Sequence, residues 1–260
     1  MRIHLQLPVD DAATWAAEAD RVGVHGVLVS PAAGLGAISA PPVALATRDA
    51  RVIVPVVLGE EHPVTLAEEL VVLDALSGGR IVALVDTAGL DAEAALEDAA
   101  LLRHALSGRP IRHRGARWTV PAGIAEDAPD AVIVTPGPVQ LELPLWVTGA
   151  AASEVGASIG LAVLAEDAQA DLAPRGVQPA CAALNGDLET DRATVLAWMA
   201  AGATHLVLAL PDGAAPAMLG DYLARYLIPE AAMVDFPRLM AETTPPPVWP
   251  GSLPAVESAP

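Results

Sequence analysis

Residues 62–84 read HPVTLAEELVVLDALSGGRIVAL, and the order of features in this stretch decides the fold. Pro63 suits a first helical position, where its missing N–H would be unpaired in any residue, and Ser77-Gly78-Gly79 supplies a left-handed stop. Leu66, Leu70, Leu73 and Leu76 recur at helical spacing and leave Glu68 and Glu69 on another face. Ile81 to Val85 is then apolar without alternation, the pattern of a parallel strand covered on both sides. A helix that stops at Ser77 and feeds such a strand is half of a βαβ unit.

The same alternation continues in both directions. Apolar β-like runs fall at 2–8, 26–30, 51–58, 80–86, 144–149, 161–165, 178–184 and 204–210, and Ala- and Leu-rich helical stretches at 11–22, 63–77, 91–107, 153–159, 188–201 and 216–227. Strands alternating with helices predict a mainly parallel sheet with right-handed crossovers. Eight of them in 260 residues predict a (β/α)8 barrel over 1–232, followed by a Pro-rich tail at 233–260. Two crossovers, 32–50 and 167–177, are short, and residues 110–143 form an insertion whose IRHRGARWTV segment reads as a hairpin turning at Gly115.

Composition narrows the chemistry. Hydrophobic residues make up 53% but aromatics only 3%, so the core is built from Ala, Val and Leu. A net charge of −18 opposes a nucleic-acid partner. All 14 basic residues are Arg, and the absence of Lys excludes Schiff-base aldolases, lysine-anchored pyridoxal phosphate enzymes and Walker-type nucleotide sites. Cys181 is the only cysteine and lies in an apolar run, so it reads as a structural thiol. No HExxH occurs and the six His are scattered, so no metal site is expected. No apolar run approaches the roughly 20 residues of a membrane span, and MRIHLQLPVDDAA reaches two aspartates too soon for a signal peptide, which together predict a cytoplasmic protein.

The opening stretch resembles the His-Pro-Val, Leu-Ala-Glu-Glu, Leu-Asp, Leu-Ser-Gly-Gly-Arg segment of the bacterial luciferase-like flavin monooxygenases and their coenzyme F420-dependent relatives. AAEADRVGVHGVLVS (16–30), RPIRHRGARWTV (109–120), LPLWVTGAAASEVGASIG (143–160) and WMAAGATHLVLALP (198–211) match in family order. The resemblance implies a (β/α)8 barrel that binds reduced FMN or reduced F420 at its carboxyl-terminal mouth and acts on a small organic substrate. It also implies a dimer, either a homodimer or a heterodimer with a luciferase-like homologue.

Candidate site residues follow from barrel geometry, in which functional groups stand at strand ends and on the loops after them. On the first strand the apolar set Ile3, Leu5 and Leu7 should face the helices, turning His4 and Gln6 into the lumen, where a hydrogen-bonded core pair is an equal alternative to a ligand contact. His62 follows the third strand on the catalytic face, although helix-entry chemistry accounts for it as well. His4 and His62 are the candidate catalytic groups. His25 and His205 begin their strands and belong to the opposite, stability face; His104, His113 and the neighbouring arginines read as a solvated basic surface. By the resemblance, Thr148, Gly149 and Ser153 lie near the flavin phosphate, and Asn185-Gly186 stands at a second phosphate-contacting turn.

Departures from the family pattern bear on the same seat. Where the family's fourth strand ends in Gly-x-Gly beside the flavin ring, this chain reads Leu84-Val85-Asp86, so Asp86 is a cofactor-facing position that crowds and repels. The loop after the second strand, SPAAGLGAIS, lacks the His that many members carry, and Pro55 stands where a Gly is usual. Two functions are therefore consistent with the sequence: a flavin- or F420-dependent oxidoreductase with an altered pocket, or a non-catalytic subunit that has lost the cofactor and serves as dimerisation partner of an active homologue.

Overall fold

The computed structural model describes residues 1–30, 36–87, 89–122, 130–166, 176–211, 213–219 and 223. The elements run β1 (Arg2–Gln6), α1 (Ala12–Arg21), β2 (Gly26–Leu28), α2 (Ala40–Ala46), β3 (Arg51–Val57), α3 (Pro63–Ser77), β4 (Ile81–Asp86) and α4 (Ala92–Leu106). They continue with β5 (His113–Arg114), β6 (Thr119–Val120), β7 (Leu145–Thr148), α5 (Ala152–Ile159), β8 (Ala162–Val163), β9 (Pro179–Ala183), α6 (Leu188–Ala200) and β10 (His205–Ala209). One eight-stranded sheet is ordered β8-β7-β4-β3-β2-β1-β10-β9, with every pairing parallel. Ala165 N–H donates to the Pro179 carbonyl and Cys181 N–H to the Ala165 carbonyl, both at 2.9 Å, and this bridge joins the β8 edge to β9. The sheet is thereby closed into the expected (β/α)8 barrel.

Each of the eight predicted apolar runs contains a strand of the barrel, and the helix predicted at 63–77 has those bounds. The expected hairpin is the antiparallel pair β5–β6. The helix expected at 216–227 begins as a 3-10 turn, Pro216–Met218; its remainder except Leu219 and Leu223, the 233–260 tail and most of the 167–177 crossover lie outside the described residues.

The opening stretch works as a joint between elements. His62 is the α3 N-cap, its Nδ1 accepting from Val64 N–H at 3.1 Å, and Gly78 closes the helix at φ 69°, where a Cβ would be strained. Arg80 then reaches back to carbonyls at the end of α2, with Nη2 donating to Ala44 and Thr47 (2.9 and 3.0 Å), while its Nε donates to Ser77 O at 2.8 Å. The guanidinium fork thus satisfies carbonyls of two helices that have run out of helical partners. The expected α3 stripe differs at one point: Leu76 is 43% exposed and Asp74 is buried. The reason is that the Asp74 carboxylate accepts from Val139 N–H, Gln140 N–H and Gln140 Nε2 at 2.8–3.0 Å, docking the insertion onto α3.

Pro55 in mid-strand also has a structural reason. Ile53 turns its carbonyl to Val29 N–H, and Pro55, two residues on, turns its nitrogen to the same side, where β2 has already ended. The absent N–H therefore costs the ladder nothing.

The basic segment of the insertion is not a merely solvated surface, contrary to expectation. Arg117 Nε and Trp118 Nε1 donate to the fully buried Asp98 carboxylate of α4 at 2.8 and 2.5 Å. Glu97 accepts from His113 Nε2 and from the amides of Ala116, Arg117 and Trp118. Burial pushes the Glu97 carboxyl up, and these hydrogen bonds outweigh it and bring it down to about 2.

Because Asp98 balances a partly buried guanidinium and an indole N–H, Asp98→Ala should destabilise the protein by about 3 kcal/mol, read as a lowered urea midpoint with unchanged slope. Glu97→Gln should remove a fall in stability that the wild type shows as pH drops from about 4.5 toward 2, the window between the ordinary and the folded carboxyl.

Candidate active site

In a parallel ladder, residues in register point to the same face, so the pairings identify what lines the lumen. His4 is in register with Gly26 on β2 and Val207 on β10, and Gly26 with Arg51 on β3. Following the alternation along each strand gives three zones. At the amino-terminal end stand Arg2, His4, Arg51 and His205. In the middle, Leu28, Ile53, Val82, Leu84, Trp146, Leu164 and Val207 form a buried apolar plug, with Ala162 and Cys181 packed against it. At the carboxyl-terminal mouth, Gln6 ends β1 and Asp86 and Thr148 face one another in register on β4 and β7. Ile3, Leu5 and Leu7 belong to the larger core between barrel and helices, as the alternation of β1 predicts.

The mouth brings together three of the expected cofactor-facing residues: Gln6, Asp86 and Thr148. Gly149 follows at φ 95°, and Ser153 stands exposed in the first turn of α5. The amides nearby are partly committed, since Ala151 N–H donates to Thr87 Oγ1 and Ala152 N–H to Gly149 O, both at 3.1 Å. An open groove of about 1850 Å³ runs from Thr148, Gly149 and Ser153 down between α4 and α5 to Arg103 and His104. This exceeds the roughly 300–1,000 Å³ of a shaped ligand pocket.

Asn185 and Gly186 are placed differently in chemical terms. Their N–H groups donate to the two oxygens of Asp191, itself 1% exposed, at 2.8 and 3.0 Å. Both amides are therefore engaged by a carboxylate of the chain. His62 is also engaged: it caps α3 and meets Trp118 edge-on at 4.4 Å, and its burial lowers its basicity. The sequence GASIG at 156–160 has the spacing of a serine-hydrolase elbow, but it closes α5 and does not bridge a strand and a helix, so it carries no such chemistry. Burial, reinforced by Glu166, pushes the Cys181 thiol up to about 11, which agrees with a structural role.

His4 lies at the opposite end from the mouth. It is fully buried, stacked on His205 at 5.3 Å, and edge-on to His25 at 5.2 Å and to Trp146 at 5.5 Å. Gly26 makes this possible, because a Cβ there would come within 2.6 Å of His4 Nδ1. Sequence reading scattered these histidines; the fold gathers them because β1 has β2 and β10 as its two neighbours and each contributes a His at its start. The adjacency of first and last strands in a closed barrel is the signal that could have revealed the cluster.

Burial, and then His25, His205, Arg2 and Arg51, hold His4 well below the ordinary imidazole range; burial, and then Arg2 and its other cationic neighbours, lower His205 to about 4. Such groups are neutral in the folded chain while the unfolded chain takes up protons, so the contribution of His205 is present above about pH 6.5 and is lost toward pH 4, and that of His4 falls in the same direction. Urea midpoints should fall as pH drops through this window, and His205→Gln should flatten the fall. A wild-type midpoint constant from pH 7 to 4.5 would contradict the placement.

No protein-family model matches the chain, and no curated protein matches it. Solved structures do. A monooxygenase from Streptomyces bottropensis is similar over 93% of this chain and 83% of its own, at 17% identity and TM-score 0.54. An F420-dependent secondary alcohol dehydrogenase, solved with an F420-acetone adduct, is similar over 88% and 98%, at 15% identity and TM-score 0.60. The oxygenating constituent of 3,6-diketocamphane monooxygenase from Pseudomonas putida, a type II Baeyer-Villiger monooxygenase in complex with FMN, is similar over 80% and 66%, at 17% identity and TM-score 0.51. The chain thus shares the barrel fold of flavin- and F420-using proteins, which agrees with the resemblance carried by residues 62–84.

Proposed function

We propose that the protein is a cytoplasmic oxidoreductase of the flavin- or F420-dependent kind, acting on a small organic substrate at the carboxyl-terminal mouth. The observation that supports this most is the polar rim: Gln6, Asp86 and Thr148 stand at the carboxyl-terminal strand ends above the apolar plug, and Thr148 opens beside Gly149 and Ser153. When bound, a reduced flavin or deazaflavin supplies the hydride or the oxygen-activating electrons.

The described residues at the mouth fit such a group seated above the plug. Leu84 is 6% exposed and packs with Trp146 directly beneath the rim, so a ring system would rest on the apolar plug and not enter the barrel. Thr148, Gly149 and Ser153 would hold the phosphate through hydroxyls and backbone. Gln6 would orient the ring edge by hydrogen bonding, and the Asp86 carboxylate would weaken the hold on an anionic reduced ring. Leu84 and Trp146 exclude water from the inner face of the site. The exposed apolar residues Leu45 on α2 and Val72 and Leu76 on α3 support a dimer formed through these helices.

Titration with FMN and F420, each oxidised and reduced, should give dissociation constants in the micromolar range or weaker, no more than about 8 kcal/mol. The Leu84→Gly, Asp86→Gly double variant, shown to be folded by circular dichroism, should bind about tenfold more tightly, and Ser153→Ala less tightly. If neither the wild type nor the double variant binds either cofactor, the enzymatic reading fails and a scaffold role replaces it.

A further inference from the structure

We propose that His4, His25 and His205 form a transition-metal site at the amino-terminal end of the barrel, separated from the mouth by the apolar plug. One donor nitrogen from each of the three side chains lies within 4.8 Å of the others. The residues sit on or immediately before three adjacent strands, β2, β1 and β10, whose register is fixed by the parallel ladder. The backbone therefore sets the spacing, which loops could not do as rigidly.

His4 supplies the independent reason to expect a ligand. It is 0% exposed, and among the described residues neither Nδ1 nor Nε2 has a hydrogen-bond partner. A buried imidazole ordinarily satisfies at least one nitrogen, because leaving both bare forfeits the hydration it had when unfolded. Gly26 gives up its side chain to admit this ring. A bound metal would satisfy one nitrogen directly.

The surrounding chemistry points to a type of ion. Three imidazoles with no carboxylate or thiolate among them suit zinc or copper, and do not suit magnesium or calcium. His205 has the outer partner a ligand needs: its Nδ1 lies 2.9 Å from Thr204 Oγ1, so that nitrogen can carry the proton while Nε2 faces the metal. Nε2 now lies 3.5 Å from Arg2 Nη1, a long contact that a metal would replace. Depressed basicity keeps His4 and His205 unprotonated at neutral pH, leaving their lone pairs free for a metal.

Two features set the terms of binding. Bonds of about 2.0–2.1 Å bring ligand nitrogens closer together than 4.8 Å, so the rings must turn inward, His4 and His205 out of their present stack. Arg2 and Arg51 oppose a bare dication, so the fourth position should take an anion such as hydroxide or chloride, with Arg2 beside it.

The test is equilibrium dialysis of the chelator-stripped full chain against zinc, with cobalt as a spectroscopic substitute. The expected result is one zinc per chain at submicromolar free metal, a four-coordinate visible spectrum with cobalt, and a thermal midpoint raised by zinc. His25→Ala, the least buried of the three changes, and His205→Gln should each weaken binding at least tenfold, while His104→Ala on the outer surface should not. The wild-type thermal shift and cobalt spectrum stand without any variant, so misfolding of a variant does not shelter the proposal. Absence of stoichiometric zinc, or binding undiminished in both His25→Ala and His205→Gln, would overturn it.

Discussion

The structure depends on the first strand being paired on one side by the next strand and on the other by the last. β1 is bonded to β2, the next strand in the chain, from His4–Gly26 to Gln6–Leu28, and to β10 some two hundred residues on, with the five pairs from Arg2–His205 to Gln6–Ala209 in unbroken parallel register. This closure converts a twisted open sheet into a barrel with an interior, two ends and no free edge on β1. Everything argued about function follows from it. It places Gln6 at the mouth beside Asp86 and Thr148, and it brings His205 onto His4.

The interior is divided along its axis in a way that composition hides. A chain with 3% aromatic residues spends one Trp, Trp146, in the lumen, and places it with Leu84 between the polar mouth and the histidine end. A plug so close beneath the rim leaves room for chemistry on top of the barrel and little within it. The two ends are thereby separated, so a ligand at one can be bound or removed without direct contact with the other.

Much of the fold was legible in the sequence because the relevant signals are local. Pro63, the leucine spacing and Gly78 bound α3 without reference to tertiary structure, and uninterrupted apolar runs mark parallel strands covered on both faces, here by helices outside and the plug inside. The alternation of β1 likewise sorted His4 and Gln6 from their apolar neighbours. What could not be read was whatever depends on contacts between segments far apart. The burial of Asp74 depends on three donors from the insertion, and Arg117 and His113, read as solvated surface charge, meet Asp98 and Glu97. The engagement of the Asn185 and Gly186 amides by Asp191, six and five residues on, likewise has no sign in the sequence. The histidine cluster is the extreme case, since its members are linked only through barrel closure.

The most direct test of this account is native-state hydrogen exchange resolved to individual strands. If β1 is the doubly paired strand on which closure depends, its amides should exchange only through global unfolding, with the same free energy as the urea-derived stability, and so should those of β10 that pair with it. The single Ala165–Ala180 bridge between β8 and β9 should open at lower free energy. Exchange of β1 amides by a low-energy, local opening while β3 and β4 stay protected would contradict the closed barrel and the shared interior built on it.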